Sequence, residues 1–311
     1  ETVKQVGGEF EIVSSYEWEL IKKFKPSELV FNGPGKSIDA VKDILNSVKI
    51  LYFNIDNDTD FDILQTIKKE GLLSKIRVGL RLYFDKPGIW NRFGYNISDE
   101  KLSEKLDLLI NTLRLDGIHF HFSTNNFSLH NYEFLLNNVK NIFSRIKHKI
   151  TFVNIGGGLP AANEFIFEND IYKNLPLLIK NIFPKIKIIS EAGRNIVSDA
   201  VDIEANIISI KKKLDNQFDV SVDTNIMHFQ CYFEKKFWIE FISNQKKNKD
   251  KLIRINIFGN SCMQIDQIYE NLIINQIPMV GDKIIIHNVG AYSFSQASNF
   301  ISPIPLIKVY E

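Results

Sequence analysis

An acid and a base stand together in the segment 190–194, at the end of an apolar run that could form a strand. The sequence there is Ser-Glu-Ala-Gly-Arg, so Glu191 precedes Arg194 by three residues. A plain ion pair within the chain is one interpretation, and at a surface such a pair contributes little stability. The guanidinium of Arg194 also suits a phosphate group, because it presents several donors in a planar fork.

Two further segments end apolar runs with polar or flexible groups. Gly156, Gly157 and Gly158 would let the backbone approach a phosphate closely, although tight turns use glycine as well. His119 and His121 alternate along an apolar run, which predicts that both side chains point to the same face. A histidine inside a sheet is most often a hydrogen-bonded packing residue. Together, however, these groups would suit a phosphorylated, electron-withdrawing cofactor.

Alternating strands and helices are expected to position these groups. Apolar runs of strand length alternate with amphipathic stretches at a spacing typical of parallel βα units. Their near-continuous apolar character indicates that both faces of the sheet are buried. The predicted strands lie at 9–14, 29–33, 50–55, 76–83, 117–122, 150–155 and 186–190.

The number of these units predicts an α/β barrel. They are one short of a (β/α)8 barrel of the TIM type, and a missing strand would leave two open edges in the core. We therefore expect a barrel over residues 1–200 whose first strand precedes Glu1. From residue 201 to 311, strands follow one another with few helices, which predicts a mostly antiparallel β-domain. The segments discussed above end predicted strands, and barrel active sites lie at the C-terminal strand ends.

The composition is that of a globular protein. The chain has 311 residues, 44% of them hydrophobic, and a formal net charge of +1, which gives no reason to expect a nucleic-acid partner. No apolar run is long enough to cross a membrane, and no secretory signal opens the sequence. Cys231 and Cys262 form no disulfide framework. We expect a cytoplasmic protein without a metal site or a membrane partner.

Taken in chain order, the motifs resemble those of the fold-type III pyridoxal-phosphate decarboxylases, which include the ornithine, diaminopimelate and arginine decarboxylases. The resemblance covers nearly all of the chain, and as a set its motifs are specific. It implies pyridoxal 5'-phosphate as the cofactor and α-decarboxylation of an amino acid as the reaction. The matching segments are 10–17, 91–94, 119–121, 156–158, 190–194, 260–266 and 290–292.

The resemblance implies a role for each matching residue of the cofactor site. His121 would stack on the pyridine ring. Glu191 would pair with the ring nitrogen and keep it protonated, so that the ring accepts electrons. Arg81 and Glu11 would lie near the ring. The phosphate would be held by Thr124, Gly157, Gly158, Arg194 and Tyr292.

The second predicted domain would contribute a thiol. Cys262 matches the cysteine that protonates Cα in the partner subunit's site, so the resemblance implies a head-to-tail homodimer with two shared sites. A buried, inert thiol is the alternative for this residue. Met263, Asp266 and Gln230 stand where the family binds the side chain of the substrate.

The lysine that binds the cofactor in this family lies on the first barrel strand. We expect that strand before Glu1, and Lys4 cannot replace the lysine because no strand precedes it. If no such lysine exists, the protein is a catalytically silent homologue that binds partners, as antizyme-inhibitor-like relatives do. A fold-type III racemase is a further alternative, although racemases need a tyrosine base where this chain offers a cysteine loop. A (β/α)8 protein of unrelated function is the remaining one, because a fold alone does not give chemistry.

The substrate-binding positions differ from those of decarboxylases that act on basic amino acids. Met263 stands where those enzymes have an acid, and no acid aligns in the segment 228–231. A desolvated ammonium without a carboxylate partner binds poorly. We therefore expect neither free ornithine, lysine nor diaminopimelate, but a larger or differently charged amino-acid unit, free or carried on another molecule. Specialised members from antibiotic (microcin C-type) and siderophore pathways are similar in this respect.

Overall fold

The computed structural model of the protein describes residues 2–123, 128–145, 148–159, 171–214, 216–229, 238–244 and 252–310. The chain divides into two compact units. The first contains the described residues of Glu1–Gly158 and Phe167–Ala192, and the second those of Leu159–Ile166 and Gly193–Glu311. Each unit has its own sheet.

Parallel strands form the sheet of the first unit. All of its strand pairs are parallel, as the near-continuous apolar runs predict. The strands are β1 Phe10–Ile12, β2 Glu28–Phe31, β3 Ile50–Ile55, β4 Ile76–Tyr83, β5 Tyr95–Asn96, β6 Leu115–His119, β7 Phe152–Asn154 and β8 Lys187–Ile189. They pair in the order β1-β2-β3-β4-β6-β7-β8, and β5 pairs with β4 only.

Helices alternate with these strands, and side-chain caps start several of them. Ser14, Ser37 and Asn57 each accept a backbone N–H of the first helical turn. The helices of this unit are α1 Thr2–Gln5, α2 Ser15–Ile21, α3 Ile38–Ser47, α4 Asp58–Lys69, α5 Leu102–Leu113, α6 Leu129–Arg145 and α7 Ile171–Ile182. Within the described ranges, no helix is long and apolar enough to span a membrane.

The parallel sheet curls back on itself. Lys187, at the start of β8, donates to Glu28 Oε2 on β2 at 2.5 Å and to Tyr52 Oη on β3 at 2.8 Å. No backbone pair joins β1 to β8 in the part of the chain that the structure describes. The predicted fold, a curled βα sheet of the TIM type followed by a β-domain, is confirmed.

A mixed, mostly antiparallel sheet forms the second unit, as predicted. Its strands are β9 Ile203–Leu214, β10 Gln217–Val222, β11 Ile239–Ile242, β12 Ile253–Phe258, β13 Gln267–Ile274 and β14 Lys283–Ile286, in the order β11-β14-β9-β10-β12-β13. The pair β10 and β12 is parallel, and the other pairs are antiparallel. The described residues of this unit also form two short α-helices, α8 Arg194–Val197 and α9 Ser293–Gln296, and a 3-10 helix, Ser198–Ala200.

Candidate active site

Buried polar side chains meet at the C-terminal ends of the strands of the first unit. They come from six different strands or from positions within two residues after them, which is where a (β/α)8 barrel carries its active site. The members are Asn32 after β2, Asn54 on β3, Arg81 on β4, His119 on β6, Asn154 on β7 and Glu191 after β8.

Glu191 is the acceptor at the centre of this cluster. Its Oε1 accepts hydrogen bonds from Nδ2 of Asn32 and from Nδ2 of Asn154, both at 2.6 Å. Its Oε2 faces Nε2 of His119 at 3.6 Å. Burial opposes ionisation of the carboxyl, but His119 and the two amides outweigh it and hold the pKa of Glu191 below its usual range. With a pKa of about 2, Glu191 is a carboxylate at neutral pH.

Glu11, at the middle of β1, lies in the same cluster. Nδ2 of Asn32 donates to its Oε1 at 3.0 Å. Burial, and then the charge of Glu191, raise the pKa of Glu11 to about 8. The structure therefore brings two carboxyl groups together and keeps a proton on Glu11 at neutral pH. Arg81, predicted near the ring, is buried and lies 3.6 Å from Asp56.

His121 follows β6, which ends three residues earlier than the end of the predicted strand. Its Nδ1 accepts the backbone N–H of Gly157 at 3.1 Å. Burial, then the neighbouring His119, lower the pKa of His121 to about 4, so the ring is neutral at pH 7. The charge of Glu191 acts on both histidines and raises the pKa of each, against the effect of burial.

The glycine segment packs tightly against this histidine strand. Gly158 has a φ of +78°, and a Cβ at this position would lie 1.9 Å from the backbone oxygen of Ser123. A Cβ on Gly157 would lie 2.7 Å from the backbone oxygen of Glu191. These contacts require glycine independently of any ligand. The N–H of Gly157 serves His121, so it is not free to donate to a phosphate in this structure.

Arg194 and Tyr292 come together in the second unit. Arg194 begins α8 and is buried, and its Cζ lies 5.2 Å from the centroid of the Tyr292 ring. A guanidinium over an aromatic face is attracted by the ring's negative face. Two of the residues predicted to hold phosphate are therefore neighbours. Thr124 and Gln230 lie outside the described residues.

The loop that carries Cys262 is also in the second unit. The Cys262 thiol is exposed, which excludes the buried, inert alternative for it, and Met263 packs against the apolar core of this unit. Asp266 is buried, and its two oxygens accept the backbone N–H groups of Ile226 at 3.0 Å and Ser261 at 2.9 Å. These contacts give Asp266 a structural position in the loop, and its contact with substrate stays a prediction.

Several polar residues of the first-unit site went unnoticed in the sequence. Asn32 and Asn154 each end a strand, and Lys36 follows β2 in a Gly-Pro-Gly-Lys turn. The Lys36 ammonium is fully buried and donates to Asp60 Oδ2 and to the backbone oxygen of Gly33, both at 2.7 Å. Their position could have indicated them, because each lies within three residues of the end of a predicted strand.

The donor set of the first unit fits a protonated pyridine ring. Oε2 of Glu191 has His119 as its near neighbour at a distance too long for a hydrogen bond, so it can accept a further donor. Both ring nitrogens of His119 are buried without a hydrogen-bond partner among the described residues. The neutral imidazole of His121 is available for stacking. No group of three or more His, Cys, Asp or Glu side chains in the described ranges could hold a metal ion.

Comparisons with known proteins agree with this site. Residues 1–198 match the family described as "Pyridoxal-dependent decarboxylase, pyridoxal binding domain". Diaminopimelate decarboxylase of Aquifex aeolicus is 25% identical over 95% of this chain and 73% of its own length. Antizyme inhibitor 2 of Xenopus laevis is 24% identical over 95% of this chain and 69% of its own.

The fold also matches solved structures. The arginine decarboxylase of Paramecium bursaria Chlorella virus, bound to agmatine, superposes with a TM-score of 0.76 over 98% of this chain and 83% of that chain, at 19% identity. The family match covers more than half of the chain, and the polar cluster at Glu191 falls inside it. The chain belongs to the family of pyridoxal-phosphate-dependent decarboxylases, which are amino-acid carboxy-lyases.

Proposed function

We propose that the protein is a PLP-dependent α-decarboxylase for an amino acid, or an amino-acid moiety, that lacks a free basic side chain. The observation that carries this proposal is the engagement of Asp266. It is the acid of the Cys262 loop, its side chain is buried, and each of its two oxygens accepts a backbone N–H group. A substrate ammonium would therefore meet Met263 and no free carboxylate from this loop, which makes its desolvation unfavourable.

The residues of the first unit would bind and orient the cofactor. When bound, PLP supplies an electron sink for the bond between Cα and the carboxylate. Glu191 would keep the ring nitrogen protonated, and His121 would lie flat against the ring, with Arg81 and Glu11 nearby. Thr124 and Gly158 would hold the phosphate.

Cys262 would return a proton to Cα after carbon dioxide leaves. Its exposed thiol supports this role, because an exposed thiol can reach a site formed with a second copy of the chain. Residues 1–198, which match the pyridoxal binding domain, contain neither of the two cysteines of the sequence, Cys231 and Cys262. We propose a homodimer in which each Cys262 completes the partner's site, and a cytoplasmic location. Met263 and Gln230 would contact the substrate's side chain.

A catalytically silent homologue is the second candidate. It is favoured by one observation, the similarity to an antizyme inhibitor, at nearly the same identity as to a decarboxylase. The buried Glu191 carboxylate, which the cofactor ring requires, supports the enzyme.

Carbon dioxide release from carboxyl-labelled amino acids tests the proposal, with full-length protein and added PLP. We expect turnover of amino acids with neutral or acylated side chains, and little turnover of free ornithine, lysine or diaminopimelate. Met263→Asp should gain activity on basic amino acids, whereas Met263→Leu should not. Efficient turnover of ornithine or diaminopimelate by the wild type would overturn the substrate class. A protein that binds PLP but releases no carbon dioxide from any substrate of the panel would favour the silent homologue.

A further inference from the structure

An indole ring covers one face of the candidate stacking histidine. The rings of Trp90 and His121 have centroids 5.2 Å apart and planes inclined by 25°, a stacked arrangement. Trp90 lies in the loop after β4, and its backbone N–H donates to the backbone oxygen of Phe122 at 2.6 Å. That hydrogen bond ties the loop to the segment that carries His121. No role in the site has so far been given to Trp90.

The orientation of the His121 imidazole is fixed from two directions. The Gly157 N–H holds its Nδ1 edge, and the Trp90 indole lies against one of its two faces. Offset stacking is a preferred arrangement for aromatic pairs, and it stabilises beyond the burial of area. The opposite face of the imidazole is the one that Trp90 leaves for another planar group.

We infer that Trp90 is a positioning residue, which holds His121 so that the imidazole presents its opposite face to the cofactor ring. Trp90, His121 and the pyridine ring would then form a stack of three. This inference rests on the proposed function only in taking PLP as the planar group. It requires the Trp90–His121 contact to persist when PLP binds.

The indole also shields the imidazole from water. Trp90 is 42% exposed, so its outer part meets solvent while its inner face covers His121. Burial is the main cause that lowers the pKa of His121 to about 4. Removing the indole should therefore raise the pKa of His121 toward its ordinary value, because water would then solvate the imidazolium.

The test compares Trp90→Ala and Trp90→Phe with the wild type, using full-length protein. A matched control is Trp238→Ala, because Trp238 stacks on His287 in the second unit with centroids 4.4 Å apart and planes at 30°. PLP affinity is measured by titration, and the His121 ring by NMR of histidine-labelled protein with and without PLP. Thermal unfolding checks that each variant is folded.

We expect Trp90→Ala to weaken PLP binding about three- to tenfold, the size of one aromatic stacking contact. It should also raise the pKa of His121 and remove the ring-current shift of its Cε1 proton. Trp90→Phe should retain most of the wild-type PLP affinity and most of the wild-type pKa and ring-current shift of His121. Trp238→Ala should change neither the PLP affinity nor the His121 signal.

Two results would overturn the inference. One is unchanged PLP affinity and an unchanged His121 signal in a folded Trp90→Ala protein. The other is loss of the wild-type ring-current shift when PLP binds, which would show that Trp90 and the cofactor compete for the same face. PLP binding without carbon dioxide release would overturn only the decarboxylase proposal, whereas a wild type that binds no PLP would overturn both.

Discussion

Glu11 and Glu191 share a single hydrogen-bond donor. Nδ2 of Asn32 lies 3.0 Å from Oε1 of Glu11 and 2.6 Å from Oε1 of Glu191. Two buried carboxylates so close would repel each other, and the pKa of Glu11 rises to about 8 while that of Glu191 falls. The pair therefore holds one proton on Glu11 and one charge on Glu191 at neutral pH, and the charge is the one that a pyridinium nitrogen requires.

The proton on Glu11 makes the stability of the unliganded protein depend on pH. Between the ordinary pKa of 4.5 and about 8, the folded state keeps a proton that the unfolded state releases. The contribution of Glu11 to the free energy of unfolding is therefore complete below pH 4.5. It falls by roughly 1 kcal/mol per pH unit as the pH rises to 8. Glu11→Gln should remove this fall, as measured by urea unfolding at several values between pH 5 and 8.

Glu204→Gln is the control for the Glu11 experiment. Glu204 is exposed and pairs with Lys283, which lowers the pKa of Glu204 and confines its effect to more acidic solutions. Between pH 5 and 8, the unfolding free energy of Glu204→Gln should fall with pH at the same slope as that of the wild type. An identical slope in Glu11→Gln and wild type would show that Glu11 is ionised in the folded protein.

The buried Lys36–Asp60 pair should be strongly coupled. Lys36→Met leaves an uncompensated buried carboxylate and should cost about 3–5 kcal/mol of unfolding free energy. Adding Asp60→Asn should recover much of that loss, since the unpaired charge is then gone. The exposed pair Lys42–Glu70 has the same N–O distance of 2.7 Å, and Lys42→Met should cost at most about 1 kcal/mol. Equal costs for the two lysine variants would contradict the buried pair.

The glycine segment allows a steric prediction. Gly158 and Gly71 have nearly the same positive φ, +78° and +76°, but a Cβ has space only at Gly71. Gly71→Ala should cost about 1 kcal/mol, from backbone strain alone. Gly158→Ala should cost roughly 1–3 kcal/mol more, because its Cβ meets the backbone oxygen of Ser123. Thermal unfolding of both variants tests this, and equal losses would refute the steric part.

Asp266 should control the shape of the Cys262 loop. Asp266→Ala leaves two backbone N–H groups without an acceptor, at roughly 1–3 kcal/mol each, and Asp266→Asn is a milder variant. Both should change the rate at which Cys262 reacts with a thiol reagent, measured in a Cys231→Ser background. Asp282→Ala removes an exposed acceptor of one N–H and should leave that rate unchanged. An unaltered rate in a folded Asp266 variant would contradict this assignment.

Continuous apolar runs made most of the first unit predictable. The strands 50–55 and 76–83 have the predicted bounds, because buried parallel strands are apolar along their whole length. In the second unit, the sequence predicts strands at 203–211, 218–222, 252–258 and 283–287, which leaves out β11 and β13. β11 has only four residues, and β13 has no regular alternation of buried and exposed side chains, because Asn271 adopts a positive φ and the register of its pairing with β12 shifts.

One predicted helix start is wrong, because local hydrogen bonds form turns at that place. The sequence predicts a helix that Ser98 caps and that runs to about Leu113, but α5 begins at Leu102 and has no side-chain cap. Asn96 Oδ1 accepts the N–H of Ser98, and Asp99 Oδ1 accepts that of Lys101, so turns occupy the predicted first turn of the helix.

The shared donor Asn32 could not be identified from the sequence, because its partners Glu11 and Glu191 are far apart in the sequence and meet only when the sheet curls.

Titration of full-length protein with PLP, comparing wild type with Glu191→Gln, tests the central claim that the Glu191 carboxylate binds the cofactor ring. Visible absorption, before and after borohydride reduction, reports the bound cofactor. The wild type should saturate and retain the cofactor after reduction. Glu191→Gln should bind PLP roughly ten- to a hundredfold more weakly, because a charge-assisted hydrogen bond contributes about 1.5–3 kcal/mol. No uptake by the wild type, or equal affinity in the variant, would contradict the account.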